Sequence, residues 1–94
     1  MLMVNKTLTE INLGVNKIGL RGAKDIADAL RVNKKLTKID LFNNDIRNEG
    51  AKHLAEMLMV NKKLTEIEVG KNEIGYEGKK ALKESNIHNI LLLF

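Results

Sequence analysis

The sequence predicts an α/β solenoid: a curved parallel sheet with helices on its convex side, the chain winding as a right-handed βα superhelix. Two observations predict it. One pattern returns three times at a spacing of 28 residues without an insertion, and inside each copy the apolar period changes from two to three and four.

Val4-Asn5-Lys6-Thr7-Leu8-Thr9 returns as Val32-Asn33-Lys34-Lys35-Leu36-Thr37 and as Val60-Asn61-Lys62-Lys63-Leu64-Thr65. The same offset carries Ile11 to Ile39 and Ile67, Leu13 to Leu41 and Val69, Ile18 to Ile46 and Ile74, and Gly22 to Gly50 and Gly78. The first element of a unit is a short strand, because Ile11 and Leu13 stand two apart beside polar Glu10 and Asn12. The second is a helix, because Ala23, Ile26, Ala27 and Leu30 form one stripe at spacings of three and four. Successive strands joined through a helix must run parallel, and such a crossover is right-handed.

Leu8-Thr9-Glu10-Ile11-Asn12-Leu13-Gly14-Val15-Asn16-Lys17-Ile18 resembles the leucine-rich repeat signature L-x-x-L-x-L-x-x-N-x-L, as do residues 36–46 and 64–74. The repeat length, with Gly22-Ala23 and Gly50-Ala51 opening true helices, is similar to the ribonuclease-inhibitor-like subclass. The resemblance implies an asparagine ladder at Asn16, Asn44 and Asn72, where a buried amide that both donates and accepts serves backbone groups of neighbouring repeats. It also implies an interaction scaffold rather than an enzyme, working in the cytoplasm.

Repeats at about 5–32, 33–60 and 61–88 reach the minimum of roughly three that such stacks need to bury a continuous core. Leu8, Ile11, Leu13, Ile18, Ile26 and Leu30 are expected to fill one layer, and Leu36, Ile39, Leu41, Ile46, Leu54 and Leu58 the next. Residues 1–4, in phase with Met57–Val60, read as the tail of an incomplete helix, whether of a longer array or of a truncated first unit. Lys79, Lys83 and Asn86 replace Ala23, Ala27 and Leu30, so the third helix reads as terminal. Residues 89–94 then form an edge strand that either caps the core or makes an interface, with Asn89 and Leu92 in phase with Asn61 and Leu64.

Side chains beside the core positions are expected on the open, concave face: Glu10, Asn12, Lys38, Asp40, Glu66 and Glu68, four carboxylates against one lysine. Phe42, standing where Gly14 and Gly70 occur in the other copies, reads as an exposed aromatic anchor on that face. Lys6, Lys34, Lys35, Lys62 and Lys63 make a basic stripe at the helix-to-strand turns. The expected partner is a protein with a basic or mixed surface. The alternative is an assembly unit that self-associates through its N-terminal end or apolar tail.

Composition narrows the rest. With 94 residues, 30% charged and 44% hydrophobic, the chain is one ordinary domain, and its longest apolar run, Ile90 to Phe94, falls far short of a membrane span. It has no cysteine, hence no disulfide, thiolate nucleophile or zinc–cysteine site. A net charge of +4, only 3% aromatics and a stripe without arginine or aromatics argue against nucleic acid. His53, His88 and Ser85 fall in separate elements, and exposed carboxylates on a sheet lack the desolvation that tunes an acid and a base. No catalytic residue, metal ligand, cofactor or small-molecule substrate is expected, and the Asn5-Lys6-Thr7 sequon reads as coincidence.

Overall fold

The computed structural model describes residues 9–94, so the expectations for Met1–Val4, Lys6, Leu8 and the sequon lie outside the described residues. Strands β1 (Glu10–Asn12), β2 (Lys38–Asp40), β3 (Glu66–Glu68) and β4 (Leu91–Leu93) alternate with helices α1 (Gly19–Val32), α2 (Arg47–Val60) and α3 (Tyr76–Ser85). The strands form one parallel sheet in the order β1-β2-β3-β4, so each unit lies beside its sequence neighbour. This is an α/β repeat solenoid. Register between the first three strands is the 28-residue offset itself: Ile11 pairs with Ile39, and Ile39 with Ile67.

The middle layer is closed. Leu36, Ile39, Leu41, Ile46, Leu54 and Leu58 are all buried. In the first layer Leu30 is buried, whereas Ile11, Leu13, Ile18 and Ile26 are only partly so, since each interior layer is sealed by a neighbour on both sides. Helices α1 and α2, and α2 and α3, pack side by side. The repeat glycine and alanine set that spacing. A Cβ placed on Gly50 would stand 3.0 Å from Ala23 Cβ and 2.5 Å from Ile46 Cγ2, so neither a larger residue nor a wider helix separation fits. The helix alanines therefore meet the next helix as well as the sheet.

The last unit departs from the 28-residue phase. Strand β4 pairs Leu91, Leu92 and Leu93 with Glu66, Ile67 and Glu68, an offset of 25. Leu92 thus takes the core position of Ile67, correcting the expected match to Leu64. The three lost residues come out of the helix: α3 has 10 residues where α1 and α2 have 14. Ile90 and Leu92 pack against the core, and Lys79 and Lys83 each place their ammonium 5.8 Å from the centre of the Phe94 ring. The two lysines that replace core-facing alanines thus lie over an aromatic ring at the end of the stack.

Candidate functional site

Short strands expose backbone groups as soon as the ladder ends, and asparagines take them up. Asn44 Nδ2 donates to Leu13 O (2.7 Å) and Phe42 O (3.3 Å), while its Oδ1 accepts from Asn16 N (2.6 Å) and Ile18 N (3.4 Å). Asn72 repeats this one unit later, donating to Leu41 O (2.7 Å), Val69 O (2.9 Å) and Gly70 O (3.1 Å), and accepting from Asn44 N (2.6 Å) and Ile46 N (3.3 Å). Their backbone carbonyls also take the first N–H of the preceding unit's helix, Gly19 N to Asn44 O and Arg47 N to Asn72 O. Asn44 and Asn72 are buried. Asn16 is exposed and donates only to Leu13 O and Gly14 O of its own turn.

A second asparagine row, absent from the sequence expectations, holds the helix-to-strand turns. Asn61 Oδ1 accepts from Lys63 N (2.8 Å) and Leu64 N (2.7 Å), and its Nδ2 reaches back to Leu30 O (2.6 Å). Asn33 Oδ1 does the same for Lys35 N and Leu36 N. Asn86, 25 residues after Asn61, exchanges hydrogen bonds with Ile90 in the shortened unit. The signal was present in the recurring Val-Asn-Lys motif, whose asparagine directly follows each full-length helix. Asn48 is a third omission: its Oδ1 accepts Gly75 N (2.7 Å) and Gly78 N (3.1 Å), capping α3 from the helix before it. Nothing periodic announces it, because the role occurs once.

Glu10, Asn12, Lys38, Asp40, Glu66 and Glu68, with Leu93 of the last strand, line one hollow of about 420 Å³ on the sheet face away from the helices. Register sorts them into two columns. Lys38 lies between Glu10 and Glu66, and Asp40 lies between Asn12 and Glu68. The second column also has local work. Asn12 Oδ1 accepts Gly14 N, Asp40 Oδ1 accepts Phe42 N, and Glu68 Oε1 accepts Gly70 N, each fastening the residue two further on. Glu10 and Glu66 show no such bond, and among the described residues none of the four carboxylates enters an ion pair.

Phe42 does not stand free as the sequence predicts. The side chain is half-buried, and a Cβ on Gly70 would lie 3.3 Å from its Cδ1, so the ring occupies the gap that the glycine leaves. Lys71 Nζ sits 5.8 Å from the ring centre. Phe42 is not among the residues lining the hollow; it stands beside it, where the chain leaves β2.

The remaining polar groups do not converge. His53 Nδ1 lies 3.9 Å from Glu56 on α2, Ser85 ends α3, and His88 follows it. On the opposite edge Arg47 bridges Asp45 (2.8 Å) and Glu73 (3.8 Å), and the hydrogen bond and charge of Asp45, then the charge of Glu73, raise its pKa. No group of three metal-ligating side chains occurs among the described residues, and no described helix is long and apolar enough to cross a membrane.

A leucine-rich repeat family model matches residues 4–27, 32–55 and 60–83, three units at the observed period covering most of the sequence. The chain belongs to the leucine-rich repeat family. Among solved structures it is similar to leiomodin-1 actin-binding site 2, with a TM-score of 0.86 and 24% identity over 95% of this chain. That likeness establishes the leucine-rich repeat fold. The chain spans 53% of the length of that structure. No curated protein matches the sequence.

Proposed function

We propose that this leucine-rich repeat domain is a protein-interaction module of the ribonuclease-inhibitor-like kind, which takes a basic or mixed-charge segment of a partner into the hollow of its sheet. The observation that carries the reading is the set of four carboxylates, Glu10, Asp40, Glu66 and Glu68, in one depression with only Lys38 opposing them. Asp40 and Glu68 are paired across β2 and β3, and strands lie ~4.8 Å apart, so like charges are held close at a cost that a cationic side chain would relieve. Short strands, tied at both ends by asparagine rows, present the face without much side-chain or backbone freedom to lose on binding. The similarly folded leiomodin-1 structure is an actin-binding site, which supports a protein as the partner class.

Phe42 and Leu93 supply apolar contact beside the charged rows. Self-association through residues 90–94 is less favoured, because Ile90 and Leu92 are engaged with the core of their own chain. The test is affinity capture with the native domain and with a variant carrying Glu10→Gln, Asp40→Asn, Glu66→Gln and Glu68→Gln. These amides keep an oxygen for Phe42 N and Gly70 N while removing the charge. A protein retained by the first and lost by the second docks in the hollow. Identical recovery from both would move the binding surface elsewhere.

A further inference from the structure

The helix-to-strand turns of the first two full units enclose a second depression, of about 380 Å³, between the C-terminal ends of α1 and α2. Arg31, Lys34, Lys62 and Lys63 line it together with Val60. Arg31 thus joins the lysine stripe, to which the repeat motif alone assigns no arginine. Its guanidinium is loosely shared with Glu56 at 3.7 Å. Lys34, Lys62 and Lys63 enter no ion pair among the described residues, whereas Lys24 and Lys52 do. Four cations therefore border one cleft with at most one carboxylate shared between them.

We infer that this cleft is a second docking site, which receives an acidic segment of a protein in which an aliphatic side chain is flanked by carboxylates. The charge fixes the sign of the occupant. The apolar part comes from Val60, which is 50% exposed and lines the depression. A protein segment fits better than nucleic acid for two reasons. No aromatic side chain lines the cleft to stack a base. The polar groups of Asn61 are already spent on Leu30 O, Lys63 N and Leu64 N, so they read no base edge. Those same bonds hold the backbone of Lys63 in place, so its charge is presented from a fixed turn. The domain thus offers two faces of opposite sign, and the basic one stands independently of the acidic hollow.

The experiment is fluorescence anisotropy on the full chain with a labelled synthetic peptide in which one leucine is flanked by aspartates and glutamates. A version with serine for leucine and a labelled single-stranded oligonucleotide serve as rivals. Binding of the leucine peptide should fall at least about tenfold in Lys62→Glu/Lys63→Glu, as expected when several ion pairs are reversed. It should fall about three- to tenfold in Val60→Ser, and as much when serine replaces the peptide leucine. Should the double variant fail to fold by circular dichroism, Lys34→Glu on the neighbouring turn repeats the test. Neutralising Glu66 should leave this binding unchanged, which separates the cleft from the hollow. No binding at low salt, equal binding by the charge-reversed variant, indifference to Val60→Ser, or tighter binding of the oligonucleotide would each overturn the assignment.

Discussion

Replacing the ladder asparagines one at a time by leucine, a side chain of similar size with no polar atoms, should give a graded and not a uniform loss of stability. In Asn16→Leu only two donations within its own turn disappear, and the site is exposed to water that can replace them. In Asn44→Leu the carbonyls fare tolerably, since Leu13 O keeps the Asn16 amide and Phe42 O keeps Val15 N. The real loss is on the donor side, where Asn16 N and Ile18 N are left in a part-buried turn. In Asn72→Leu the donors Asn44 N and Ile46 N and the acceptors Leu41 O and Val69 O all lose their bond to the amide in buried surroundings. An unsatisfied buried group costs ~1–3 kcal/mol, so the series should run from below ~1 for Asn16, through ~2–3 for Asn44, to ~4 or more for Asn72. Urea denaturation followed by circular dichroism measures this directly, with m unchanged and the midpoint falling in that order. A domain this size holds ~5–10 kcal/mol, so the Asn72 variant is best measured with sulfate added to strengthen burial. Equal midpoints for the Asn16 and Asn72 variants, or no loss in either interior variant, would refute the hydrogen-bond accounting.

Two further outcomes follow from the backbone and the helix contacts. Val15 holds φ at 57° while 67% exposed, so a β-branched residue sits in left-handed backbone with little burial to compensate; Val15→Asn should raise stability by ~1 kcal/mol, seen as a higher thermal midpoint. Gly50→Ala should lower it by ~1 kcal/mol, because the methyl group meets Ala23 and Ile46 and the overpacking cost exceeds the gain in helix propensity, a result that the same melts would check.

The solenoid was legible in the sequence because its causes are local and repeated. An alternation of two at Ile11 and Leu13 and a stripe at Ala23, Ile26, Ala27 and Leu30 each belong to one element, and the 28-residue spacing then stacks the elements in register. The outward placement of Glu10, Lys38 and Glu66 follows from the same alternation, so the composition of the hollow could be read as well. The tertiary structure alone decided whatever depends on a contact between units. Only strand pairing shows that the last unit is three residues short, because Leu92 fits the repeat equally well one position or another until Ile67 selects it. Only packing shows that Phe42 fills the space above Gly70, since an aromatic beside a glycine gap looks exposed when neighbours are not counted. The same holds for Asn48 capping α3 and for Arg31 joining the lysines of the next turn. Periodicity fixes which way a side chain points, whereas its partner depends on groups that stacking alone brings within reach.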